Sequence, residues 1–78
     1  MPRYYFHLRK DGVLEEDPEG TEFATLDAAE EDAVQAVREI VADKVLADDI
    51  IEDDRFEIAT ADGTVLSEVR FKSVLRLQ

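Results

Sequence analysis

The 78-residue sequence predicts an α+β domain: an antiparallel sheet of three or four strands with one long helix packed on one face, in the order β-β-α-β-β. Three observations carry this expectation. Apolar residues alternate with polar ones near both ends of the chain, an apolar stripe at three- and four-residue steps fills the middle, and Gly-containing turn sequences follow the first alternating run and divide the last.

In Arg3-Tyr4-Tyr5-Phe6-His7-Leu8-Arg9 the alternation places Tyr4, Phe6 and Leu8 on one face and Arg3, Tyr5, His7 and Arg9 on the other, which describes a strand with one buried face. Lys10-Asp11-Gly12 supplies a tight turn, and Val13-Leu14 returns as a short second strand. Asp17-Pro18-Glu19-Gly20 fits a type I turn position by position. The Asp carboxylate accepts from the backbone, Pro presets the second torsion, and Gly suits the fourth place. Thr25 or Asp27 then caps a helix predicted from about Leu26 to about Asp48. Leu26, Ala29, Ala33, Val37, Ile40 and Val41 form its apolar stripe, and Glu31, Gln35, Arg38, Glu39 and Ala42 face away. Asp27, Glu30, Glu31 and Asp32 lie where the positive end of the helix dipole favours carboxylates, so much of the local acidity has a structural reason. Beyond the acidic link Asp48 to Asp54, Phe56, Ile58 and Thr60 alternate with Arg55, Glu57 and Ala59. After Asp62-Gly63, Val65, Ser67, Val69 and Phe71 alternate with Leu66, Glu68, Arg70 and Lys72, completing a hairpin. Tyr4, Phe6, Ala33, Val37, Ile40, Phe56, Ile58, Val69 and Phe71 are the expected core.

The length fits one domain over residues 1–78, of a size that leaves little stability in reserve. With no cysteine, neither a disulfide nor a thiolate zinc site is expected. No apolar run suits an export signal or a membrane span, and together these features place the chain in the cytoplasm. The formal net charge is -11, and seventeen of the twenty acids fall between residues 11 and 54, while residues 1–10 carry Arg3, Arg9 and Lys10 and no acid. That distribution disfavours generic attraction to nucleic acid or anionic membrane and suits a basic partner.

Several stretches resemble a family of small, mainly proteobacterial proteins of unknown function. They are Pro2-Arg3-Tyr4-Tyr5-Phe6, the turn Asp17-Pro18-Glu19-Gly20-Thr21-Glu22, the helix start Leu26-Asp27-Ala28-Ala29, and Asp62-Gly63-Thr64-Val65-Leu66 with Val69 and Phe71. The resemblance covers nearly the whole chain and implies a free-standing protein; it brings no activity and no site residues. His7 departs from the family pattern, in which an acid is expected at that strand position.

Calcium binding is the chemistry that the carboxylates around Gly20 first suggest. With Gly20 at the sixth position of a calcium loop, Glu15, Asp17 and Glu19 occupy positions one, three and five, but Leu26 stands where a bidentate glutamate is required and a strand precedes the loop. The stretch therefore reads as a turn, and no metal or cofactor is expected. Catalysis has no better footing: His7 is the single histidine, no serine sits in a glycine-flanked elbow, and the three glycines are isolated turn residues. Two surfaces remain. Arg3, Tyr5, His7 and Arg9 would join Arg70 and Lys72 in one basic and aromatic face if the first and last strands were neighbours, and Val74, Leu75 and Leu77 form an apolar tail suited to self-association. The sequence thus predicts a non-enzymatic protein-interaction or regulatory module that takes a protein partner or forms a homodimer. The competing assignment is a small nucleic-acid-binding regulator that uses the outer sheet face.

Overall fold

The computed structural model describes residues 1–75, which build one helix against a five-stranded antiparallel sheet. The elements are β1 (Arg3–Lys10), β2 (Val13–Glu15), β3 (Thr21–Glu22), α1 (Leu26–Leu46), β4 (Arg55–Ala59), β5 (Val65–Arg70) and a 3-10 segment, Phe71–Leu75. The α+β class and the single covering helix are as expected. The added strand is β3, whose two residues are too few to show a period.

Strand order runs β2-β1-β4-β5, with β3 pairing to the same side of β1 as β2. β2 lies against Leu8 to Lys10 and β3 against Arg3 and Tyr4, so the two short strands are halves of one edge interrupted by residues 16–20. Asp11 and Gly12 have φ of 52° and 76°, the paired positive torsions that close a two-residue hairpin with the twist of its strands. β4 separates β1 from β5, so the first and last strands are not neighbours.

Thr25 caps α1, its Oγ1 accepting from the Ala28 N–H at 3.1 Å. At the far end the Asp49 N–H bonds the Lys44 carbonyl and the Asp48 N–H bonds that of Val45, with Asp48 at φ 57°. This is the reverse-turn cap usually made by glycine, here made by an aspartate, a residue that tolerates the left-handed region better than most. The helix therefore stops at Leu46, two residues short of the expected Asp48. Ala29, Ala33, Val37 and Val41 are its buried residues, and the two alanines let the helix backbone come close to the sheet.

The core joins these residues to Tyr4, Ile58, Val69 and Phe71, with Phe6, Ile40 and Phe56 packed at its margin. Aromatic rings cross the sheet in sequence: Tyr4 to Phe23 at 6.3 Å between centroids, Phe23 to Phe6 at 5.8 Å, Phe6 to Phe56 at 6.2 Å and Phe56 to Phe71 at 5.6 Å. Ser67 also faces the helix and donates to Glu30 at 2.6 Å. Two expectations for the last strand need correction. A register shift at Ile58/Ala59 sets Val65 opposite Ala59 and leaves it exposed instead of inward. The strand also ends at Arg70, because β4 begins at Arg55 and a continuation past Phe71 would have no ladder to join. Phe71 donates its N–H to the Asp54 carbonyl at 2.9 Å, Ser73 Oγ bonds the Arg70 carbonyl, and Lys72 thereby leaves the sheet for the 3-10 segment.

Candidate functional site

The carboxylate-rich loop is a structural knot. Between β2 and β3 the edge loses its ladder, and Asp17 replaces it with side-chain bonds: Oδ2 accepts the Phe6 N–H at 3.2 Å, while Oδ1 accepts those of Glu19 and Gly20, each at 3.2 Å. The Asp17 N–H in turn donates to His7 Nδ1 at 3.0 Å, and the His7 ring lies 6.2 Å from Tyr5. Gly20, at φ 69°, closes the knot where nothing larger fits, since a Cβ would lie 2.9 Å from Arg3 Cγ and 3.0 Å from the Tyr4 carbonyl. Both Asp17 oxygens and His7 Nδ1 are therefore committed within the fold. Among the described residues, no group of three or more His, Cys, Asp or Glu is placed to hold a metal ion.

Burial pushes the Asp17 carboxyl upward, but backbone bonds from Gly20, Phe6 and Glu19, with the nearby His7, outweigh it and hold the group below its ordinary value. A depressed folded value means that the contribution to stability is present above the unfolded value, about pH 4, and is lost as pH falls through the folded one. Asp17→Asn, which keeps one acceptor oxygen and turns an amide NH2 towards a backbone donor, is expected to cost about 1–2 kcal/mol at neutral pH. Denaturation of both proteins across pH checks this: the gap between them should narrow below about pH 4, and a gap independent of pH would refute the assignment.

On the outer sheet face the charged residues lie in two cross-strand rows. Arg9, Arg55 and Arg70 face one another across β1, β4 and β5, and beside them His7, Glu57 and Glu68 make the second row. Ion pairs tie the rows together: Glu57 meets Arg9 diagonally at 3.0 Å and Arg55 along its own strand at 3.3 Å, and Arg55 reaches Glu68 diagonally at 3.2 Å. Glu57 is buried beneath these arginines although it lies on the solvent side of the sheet. Arg70 ends the cationic row and has no ion-pair partner among the described residues.

The face expected from sequence is thus divided. Tyr5, His7 and Arg9 share β1, but Arg3 is drawn to the rim by Glu22 and the carbonyls of Glu19 and Gly20. Arg70 lies two strands away, and Lys72 is in the 3-10 segment. Of the proposed apolar tail, Val74 is half-buried against the core, Leu75 belongs to the 3-10 segment, and Leu77 lies outside the described residues. Sequence reasoning passed over Arg55, the hub of the rows, since only strand order reveals its neighbours.

Among the described residues, the far edge of the sheet is open. β5 pairs with β4 on one side only, and its six residues include Val65 and Leu66, 47% and 44% exposed. Because Phe71 bonds back to Asp54, alternation turns the N–H and C=O groups of Val69 and Ser67 towards β4 and those of Glu68, with the N–H of Arg70, to solvent, while the Arg70 carbonyl accepts from Ser73 Oγ. A groove beside this edge, about 410 Å³ and lined by Glu30, Val34, Val69 and Ser73 with Glu68 and Arg70, separates it from α1.

A family model described as a domain of unknown function (DUF6894) matches residues 3–72. The chain belongs to that family. The matched span of this DUF6894 domain takes in every strand and the helix, together with the Asp17 knot and both charged rows. No curated protein and no solved structure matches the chain. No helix among the described residues is long and apolar enough to cross a membrane.

Proposed function

We propose that the domain is a cytoplasmic, non-enzymatic protein-interaction module whose contact element is the open β5 edge. The observation that carries this reading is the run of outward-facing backbone groups at Glu68 and Arg70, next to exposed Val65 and Leu66 and a groove under α1. An extended chain added there gains main-chain hydrogen bonds from the edge and seats alternate side chains in the groove. The commitment of His7 and Asp17 to the fold supports a non-catalytic role. Nucleic-acid binding through the outer face is the weaker reading, because Arg9 and Arg55 are already neutralised by Glu57 and Glu68.

Selection of a displayed library of linear peptides against the domain, followed by amide chemical-shift mapping of an enriched peptide, tests the proposal. Shifts centred on Leu66, Glu68 and Arg70 are expected. Failure of a monomeric chain to enrich any peptide, or shifts centred on the exposed side of α1, would overturn it. Steeply salt-dependent binding of single-stranded or duplex nucleic acid would favour the other reading.

A further inference from the structure

Resting on the assignment of β5 as the contact edge, we infer that its occupant is a second copy of this chain, paired antiparallel about a two-fold axis that sets Val69 opposite Val69. A two-fold perpendicular to the sheet keeps the helix-covered faces together, so residues on like faces must meet, and the outward-facing groups of Glu68 and Arg70 must find outward-facing groups on the second strand. Registers centred on Ser67, Glu68 and Val69 each give Glu68 such a partner within the strand. One centred on Glu68 opposes that carboxylate to itself, and one centred on Ser67 sets Leu66 against Glu68. Centring on Val69 puts Glu68 of each copy opposite Arg70 of the other, twice: the Arg70 N–H bonds the Glu68 carbonyl, and the Glu68 N–H bonds the Arg70 carbonyl through the lone pair that Ser73 Oγ leaves free.

The charge rows select the same register. Within one copy, Arg70 faces Arg55 across the strands, a like-charge pair that β5 cannot relieve because no strand among the described residues lies beyond it. In the Val69-centred pair the cationic row Arg9, Arg55, Arg70 runs directly into Glu68 and Glu57 of the second copy, and the acidic row runs into the second copy's arginines. The two-fold also makes the α1 helices antiparallel, opposing their dipoles. The net charge of -11 on each copy resists approach, but at physiological salt that repulsion is screened beyond ~8 Å, whereas the row contacts act at hydrogen-bond range.

Charge reversal tests the register. Arg70→Glu alone presents acid to acid at both pairs, and Glu68→Arg alone presents base to base, so each variant should self-associate at least about tenfold more weakly than the unmodified chain. Mixed together, the two variants are complementary at both pairs and should form a heterodimer, seen as a dimeric mass in sedimentation. A variant-free check is amide exchange in the unmodified chain, where Glu68 and Arg70 should gain protection as concentration rises. A monomeric mass at high micromolar concentration, a dimer indifferent to both reversals, or reversals that do not recover on mixing would each overturn the inference. If the unmodified chain stays monomeric while selected peptides still map to β5, the second-copy inference fails and the contact-edge reading stands.

Discussion

Phe71→Ala is expected to leave a large fraction of the chain unfolded near physiological temperature. The side chain is 2% exposed and stands where β5 turns into the 3-10 segment, its ring tilted against that of Phe56 and packed under the helix. Its backbone N–H also ties β5 to Asp54, so the ring holds in place the end of the strand that carries Arg70. Truncating a buried phenylalanine costs about 3–5 kcal/mol, because the lost transfer energy is joined by a cavity that the neighbours only partly fill. A domain of this length has a total stability of roughly 4–12 kcal/mol. The measurement is urea denaturation followed by circular dichroism. Leu46→Ala, at an exposed site on the helix end, serves as the contrast and should shift stability by no more than about 0.5 kcal/mol. A midpoint for Phe71→Ala close to that of Leu46→Ala would remove Phe71 from the centre of the core.

Glu57→Ala is expected to cost about 2–3 kcal/mol, below the usual figure for breaking a fully buried pair because its arginines keep some contact with water. The loss would come from electrostatics more than volume. Among the described residues Glu57 is the one acid that touches both Arg9 and Arg55, which face each other across β1 and β4, and without it only Glu68 among them would balance three arginines in a row. Added salt should recover part of the loss by screening the half-buried arginines, whereas Phe71→Ala should show no such recovery. A salt-independent penalty would mean that Glu57 acts through packing alone.

What the sequence made legible was local. The alternation through Tyr4, Phe6 and Leu8, the stripe from Ala29 to Val41 and the Thr25 cap are each written in neighbouring residues, and each is found in the fold. The pairing of β1 with β4 joins segments about fifty residues apart, and no short window encodes which strands will meet. That is why Arg9, Arg55 and Arg70 did not read as a row, and why Glu57 read only as one position of an alternation and not as a buried counter-ion. His7 was misleading for a related reason. Alternation placed it on the outer face correctly, but its Nδ1 answers a backbone donor ten residues away, across an edge whose interruption only the folded chain shows. The end of the last strand was hidden likewise, since it is set by where β4 begins and not by the sequence of Phe71 and Lys72.

The interrupted edge made by β2 and β3 has a bearing on stoichiometry. With Pro18 in the gap, Asp17 spending both oxygens inside the fold and neither flanking strand longer than three residues, that side of the sheet offers no continuous template to another chain. A sheet with one blunted margin and one receptive margin can be extended once and then stops. Growth into filaments, the standing hazard of any protein with bare strands at both sides, is thereby arrested at its first step.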